Sequence, residues 1–253
     1  MRKSQSHFRL TLTLCFIALV ASVAFNALLF AQARNFYLQL NETRLDPLGL
    51  RSFSTDSGQH DVPAPTKATV VFFGDSRAAQ WPFPDQLKGF SFVNRGIPYQ
   101  TTAQVLGRFD EHIAPLRPHI VVVQVGINDL KTIPLFPERK AAIIANCKAN
   151  IRQMVARSVA SGATVILTTI FPVGSVPLAW KPFWSSDVAL AVNDVNNYLY
   201  SLKTSNIIII DTYSLLAENG KTQNNYARDM LHLNAKGYEV LNSKLIDILA
   251  RVK

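Results

Sequence analysis

Two cysteines in 253 residues give this chain no disulfide framework. Cys15 lies in an apolar run near the amino terminus and Cys147 in a distant helical pattern, so they are not placed to pair. Leu12-Thr13-Leu14-Cys15 has the outline of a lipoprotein box, but Leu14 is too large for the small residue required before the cysteine. No Cys/His cluster has zinc-ligand spacing, and no glycine-rich phosphate loop occurs. The formal net charge is +9, yet Lys and Arg are scattered rather than clustered. A nucleic-acid partner, which calls for a basic stripe, is not expected. The excess charge reads as a solvated surface, or as an attraction to an acidic substrate or an anionic membrane. Only 17% of residues are charged and 48% are hydrophobic. That composition suits one globular domain with a sizeable core plus an accessory segment.

The accessory segment is at the amino terminus. Leu10 to Phe30 is an uncharged run of 21 residues, interrupted only by Thr11, Thr13, Ser22 and Asn26. At about 1.5 Å per residue it matches the ~30 Å hydrocarbon core of a bilayer. A signal-peptide apolar region is usually shorter, about 7–15 residues, which favours an anchor. Ala31-Gln32-Ala33 nonetheless has the small-x-small form of a cleavage site, so secretion after cutting behind Ala33 is the alternative. Arg2, Lys3 and Arg9 precede the run and should stay cytoplasmic, which exports the rest. The expected division is a cytoplasmic tail over 1–9, a transmembrane anchor over 10–31, a stalk over 32–66 and a domain over 67–253. Within the stalk, Asn35 to Leu50 has room for a short helix, and Ser52 to Pro65 is polar.

Beyond the stalk, strand and helix patterns alternate. Strands are expected at Ala68–Phe73, Phe92–Asn94, Ile120–Val125, Thr164–Ile170 and Ile207–Ile210. Most are near-continuous Val/Ile/Leu/Phe runs, as in strands buried on both faces of a parallel sheet. Helices are expected at Thr102–Ile113, Pro137–Ala160, Asp187–Leu202 and Ala235–Val252. This alternation implies right-handed crossovers in an α/β layered fold.

Three polar blocks follow strands or precede the last helix. Gly74-Asp75-Ser76 ends the first strand, Gly126-Ile127-Asn128-Asp129 follows the third, and Asp229-Met230-Leu231-His232 leads into the final helix. A serine at a strand end needs a base, and the base needs an orienting carboxylate. An asparagine amide is suited to a developing oxyanion. With strand order 2-1-3-4-5, the crevice where such folds bind ligands lies between strands one and three, where Ser76 and Asn128 both fall.

In these blocks, together with Asn94-Arg95-Gly96, the sequence resembles the SGNH (GDSL) hydrolases over about residues 67–250. The resemblance implies a three-layer flavodoxin-like fold with a five-stranded parallel sheet. It also implies an esterase that uses an acyl-serine intermediate and no cofactor. Ser76 would be the nucleophile, His232 the base and Asp229 its orienting partner. The oxyanion hole would consist of the N–H groups of Ser76 and Gly96 with the Asn128 side chain. Asp75 and Asp129 would be structural. A departure is Arg77, where many members have leucine; it would meet an anionic substrate or pair with a carboxylate. A second is Pro98-Tyr99, where a second glycine is common. Tyr99, Trp180, Phe183 and Trp184 are candidate walls of an acyl or sugar pocket, with packing as the alternative. The expected substrates are small-molecule, lipid or glycan esters. An O-acyltransferase and a non-catalytic carbohydrate-binding module are the competing functions.

Overall fold

The computed structural model describes residues 2–53, 67–84 and 86–252, and the side chains from residue 7 onward. The polar stretch expected from Ser52 to Pro65 falls, beyond Phe53, outside the described residues. The chain divides into two compact units, residues 1–47 and 48–253.

The first unit is one helix, α1 (Arg2–Leu45). Its His7–Leu45 part is long and apolar enough to cross a membrane, with a mean hydropathy of 2.4 over its most apolar window. The helix does not stop where the apolar run does. It continues through Gln32, Arg34 and Asn35, so no separate short helix forms after residue 35. No glycine or proline interrupts the chain before Pro47, which disfavours helix at the residue before it.

The second unit begins at Leu48 rather than at Lys67. A short 3₁₀ turn, Leu50–Phe53, opens it. Then follow β1 (Ala68–Gly74), α2 (Ser76–Ala79), β2 (Phe90–Gly96), α3 (Thr102–Gly107) and α4 (Phe109–His112). The middle of the unit is β3 (Ile120–Gln124), α5 (Ile127–Leu130), α6 (Lys140–Ala160) and β4 (Thr164–Thr168). The remainder is α7 (Asp187–Tyr200), β5 (Ile207–Ile210), α8 (Thr212–Leu216), the hairpin β6 (Ala217–Glu218) and β7 (Lys221–Thr222), and α9 (Ala235–Leu249). The five long strands form a parallel sheet in the order β2-β1-β3-β4-β5, as expected.

Strand alternation sorts the core into two layers. Val71, Phe73, Val121, Val123, Val165 and Leu167 face one side, packed with Val105, Ile151, Met154, Val192 and Leu199 of α3, α6 and α7. Val70, Phe72, Ile120, Val122 and Ile166 face the other, packed with Trp81 and with Leu241, Leu245 and Leu249 of α9. Each such fully buried side chain contributes about 1.5–3 kcal/mol, and the apolar content of the strands is what fixes the layers. The helix expected over Thr102–Ile113 is instead two short helices. The break falls at Arg108, which is fully buried. The register places Gly74 opposite both Gly96 and Gln124. The chain segments leaving β1, β2 and β3 thus start side by side.

Candidate active site

Asp75 caps α2 by accepting the Arg77 N–H at 2.8 Å, while its own N–H donates to the Gln124 carbonyl. This turn leaves Ser76 at the first position of α2, where its N–H has no carbonyl four residues back to meet. Burial pushes the Asp75 carboxyl up to about 6, against the opposing pull of Arg77. Asp129 is also structural: it accepts the Thr102 N–H at 2.8 Å and the Thr102 hydroxyl at 2.6 Å, tying α5 to α3.

Ser76 Oγ lies 2.9 Å from His232 Nε2. On the other side of the ring, Nδ1 is 2.9 Å and 3.0 Å from the two Asp229 oxygens. With Nδ1–H donating to Asp229, Nε2 is left as the acceptor facing the serine hydroxyl. The three-residue offset between Asp229 and His232 is bridged by a tight turn rather than a helical one. Asp229 Oδ1 accepts the N–H groups of Leu231 and His232 at 2.8 Å and 2.9 Å. The same carboxylate thus folds the turn and holds the ring. Burial alone would raise Asp229, but these donors and His232 more than offset it and hold it below the usual carboxylate range. Burial lowers His232 below its ordinary value against the pull of Asp229, which keeps the ring neutral at neutral pH.

Asn128 sits on α5, 4% exposed, and spends one Nδ2 hydrogen on the Gln100 carbonyl at 3.0 Å. Its second Nδ2 hydrogen remains for a ligand. Gly96 does not fill the role expected of it. Its N–H donates to Asn94 Oδ1 at 2.8 Å, so it is not free for an oxyanion. What requires glycine there is packing: a Cβ would lie 2.2 Å from the Ala79 nitrogen of the nucleophile helix. Tyr99 is the residue under backbone constraint, at φ +67 with its ring 81% exposed.

Arg77 also departs from expectation. It is not at the crevice rim but fully buried. Its Nε donates to the Leu231 carbonyl at 2.8 Å, Nη1 reaches the Phe171 carbonyl at 3.4 Å, and the guanidinium stacks 5.0 Å from the Phe171 ring. Neither anion recognition nor a close carboxylate pairing describes it: it fastens α2, which carries Ser76, to the histidine turn. Tyr238 adds to this by donating to the Arg77 carbonyl at 2.9 Å. Trp180 and Phe183 are more than half exposed on the 3₁₀ stretch Leu178–Phe183, whereas Trp184 packs partly into the core. The chain leading from β4 into that stretch is tied to the histidine turn by the Gly174 N–H, which donates to the Met230 carbonyl at 2.8 Å.

The composition of the chain gave no hint of Gln100 or Arg108. Arg108 lies between Val105, Leu106, Phe109 and Ile113, and a charge in an apolar helical face was its only signal. It donates to the carbonyls of Gly74 (2.9 Å) and Arg95 (2.8 Å) and to Gln100 Oε1 (2.6 Å).

Known proteins resemble this chain in sequence pattern and in fold. The family profile described as "GDSL-like Lipase/Acylhydrolase family" matches residues 67–240. No curated protein matches the chain at a significant level. A solved structure described as a candidate acylhydrolase, from Bacteroides fragilis, is 26% identical with a TM-score of 0.64, covering 82% of this chain and 99% of its own. A GDSL-like lipase from Bacteroides thetaiotaomicron is 23% identical with a TM-score of 0.64, covering 81% and 99%. An acetylxylan esterase from Geobacillus stearothermophilus, solved as a catalytic mutant, shares the fold at 19% identity and a TM-score of 0.52, covering 74% and 95%.

Proposed function

The chain belongs to the GDSL-like lipase/acylhydrolase family and is a carboxylic ester hydrolase; on that premise we propose that Ser76, His232 and Asp229 carry the reaction through an acyl-serine intermediate. The observation that supports this most is the unbroken line from Ser76 Oγ to His232 Nε2 to the Asp229 carboxylate. His232 Nε2 takes the hydroxyl proton as Ser76 Oγ adds to the ester carbonyl carbon. The resulting imidazolium gives that proton to the departing alkoxide as the carbon–oxygen bond breaks. Water then adds to the acyl-serine carbonyl carbon as His232 takes its proton; the bond from that carbon to Ser76 Oγ breaks, His232 returns the proton to Oγ, and the acid leaves. Asp229 stabilises the imidazolium and does not itself take the proton.

The developing oxyanion is met by the Ser76 N–H and by the second Nδ2 hydrogen of Asn128. The Tyr99 N–H replaces Gly96 as the third donor. Tyr99 immediately precedes the carbonyl that Asn128 binds, and its left-handed backbone is the kind of strain that collects at functional sites. Tyr99→Gly keeps that N–H while relieving the strain, and should therefore retain kcat. A large loss of kcat would remove Tyr99 from this role.

The substrate is an O-acyl ester on a small molecule, lipid or glycan, and the enzyme is exported and tethered. Residues 10–31 form the anchor, with Arg2, Lys3 and Arg9 on the cytoplasmic side. Recovery of a soluble form beginning at Arg34 would replace tethering with secretion. Tyr99 and Trp180 are exposed aromatic residues, free to meet a second, hydroxyl-bearing compound. They favour one alternative, transfer of the acyl group to a glycan in place of water. A panel of p-nitrophenyl esters of rising chain length, each with and without a glycan acceptor, tests both readings. Release of free acid throughout supports hydrolysis; acyl-glycan product supports transfer.

A further inference from the structure

The Leu48–Phe53 segment is held against the rest of its unit partly through a buried side chain, that of Gln100. Gln100 is 5% exposed. Its Nε2 donates to the Leu48 carbonyl at 2.8 Å, its Oε1 accepts from Arg108 Nε at 2.6 Å, and its own carbonyl accepts from Asn128 Nδ2 at 3.0 Å. The segment is close-packed around this contact. The Leu48 side chain fills the space over Gly107, where a Cβ would come within 2.9 Å of it. Gly49, at φ +68, brings the backbone to Gln100, its virtual Cβ 3.1 Å from Gln100 Nε2. Further along, the Phe53 ring meets the His112 ring edge-on at 5.2 Å and lies under the Arg95 guanidinium at 4.6 Å. His112 Nδ1 faces Arg108 Nη1 at 3.1 Å and so acts as the acceptor. Its Nε2–H is then the donor to the Leu50 carbonyl at 3.2 Å.

We propose that Gln100 is a positioning residue that couples the Leu48–Phe53 segment to the Asn128 amide, making the connection to the apolar helix part of the active-site scaffold. Asn128 has two amide hydrogens and needs one for the oxyanion. The Gln100 carbonyl takes the other and so sets the direction of the free one. The direction of that carbonyl depends on where the Gln100 side chain is held. Its side chain is pinned between Arg108, fixed to the sheet, and Leu48, the first residue of the unit. The stretch read from sequence as a stalk thus acts, at Leu48–Phe53, as a strap on the oxyanion side of the crevice. A misplacement of about 1 Å at a reacting group is enough to cost about 100-fold in rate.

The coupling rests on Asn128 being an oxyanion donor, and the test separates the two claims. Full-length protein in detergent is compared as wild type, Gln100→Glu, Gln100→Met, Phe53→Ala and Asn128→Ala, and as Gln100→Glu, Gln100→Met and Phe53→Ala each combined with Asn128→Ala. Gln100→Glu keeps a partner for Arg108 but loses the donor to Leu48. Gln100→Met loses both. Phe53→Ala loosens the segment without touching Gln100. Both Gln100 variants should lower kcat for p-nitrophenyl acetate by about 10- to 100-fold. Their KM should stay within about twofold and the acid limb of the pH profile should not move. Phe53→Ala should lower kcat less. In the Asn128→Ala background all three should add almost nothing, because their effect runs through that amide. A Gln100 loss that multiplies with Asn128→Ala, or a lowered Tm with unchanged kcat, overturns the coupling and leaves Asn128 in its role. Lowered kcat in the Gln100 variants with none in Phe53→Ala overturns the part assigned to the strap. If Asn128→Ala itself leaves kcat intact, the oxyanion reading falls and the coupling falls with it.

Discussion

Two arginines are buried on opposite sides of the nucleophile strand, and they are fastened differently. Arg77 holds the nucleophile helix to the histidine turn through the Leu231 and Phe171 carbonyls and the Phe171 ring. Arg108 holds the oxyanion side through the Gly74 and Arg95 carbonyls, Gln100 Oε1 and His112 Nδ1, with its guanidinium 4.7 Å from the Phe73 ring. Neither makes an ion pair within 4 Å among the described residues. Burial lowers both, Arg77 to about 10 and Arg108 to about 9, so each remains protonated at neutral pH. A charge without a carboxylate is tolerated because carbonyl dipoles converge on it. The difference lies in what each fixes. Arg77 spans two loops distant in sequence, so it sets the distance between Ser76 and His232. Arg108 joins Gly74, Arg95, His112 and Gln100, and Gln100 in turn meets both Asn128 and Leu48.

Breaking the chemistry itself should have the largest effect. His232→Ala should lower kcat as severely as Ser76→Ala, by about 10⁴-fold or more, with the double variant little worse. Steady-state kinetics with p-nitrophenyl acetate measures this. Losses that multiply would show that the two residues do not share a step.

Next in size are the arginines. Arg108→Met strands four acceptors and Arg77→Met two, at about 1.5–3 kcal/mol for each charged hydrogen bond. Both should lower Tm, Arg108→Met the more. Thermal unfolding orders them, and the reverse order would contradict the difference drawn between the two sides. Arg77→Lys is a gentler cut. It should lower Tm while changing kcat/KM for charged and neutral esters in equal proportion. A selective loss with anionic esters would put Arg77 back at the substrate.

The smallest effect is in pH. Burial depresses His232 in the folded chain, and the reaction needs the neutral ring. Activity is therefore full above 6.5 and is lost as pH falls through the depressed value, so the acid limb of kcat/KM should lie below 6.5. Stability carries the same sign: the unfolded chain takes up this proton first, so the His232 contribution fades as pH falls through that window. An acid limb above 6.5 would mean that Asp229 outweighs burial.

Much of this was visible in the amino acids. The five strands follow from apolar runs, and Ser76, Asn128, Asp229 and His232 stand in the polar turns between them; the strand order and the structural use of Asp75 and Asp129 came with the resemblance to the SGNH hydrolases. What escaped was decided by burial and by hydrogen bonds across the chain. Arg77 stands beside the nucleophile in sequence, and nothing local says whether its guanidinium turns out to the rim or in to Phe171. Gly96 has the right residue type for an oxyanion N–H, but its register brings Asn94 Oδ1 onto that hydrogen. The boundary at Leu48 was hidden because the strap is short and its partners, Gln100 and His112, lie far along the chain.

The account stands or falls on Ser76 as the nucleophile. The full-length protein, treated with a fluorophosphonate and digested, should carry one adduct, on the peptide containing Ser76. That adduct should be absent in Ser76→Ala and form far more slowly in His232→Ala. An adduct on another serine, together with ester hydrolysis that survives in Ser76→Ala, would contradict it.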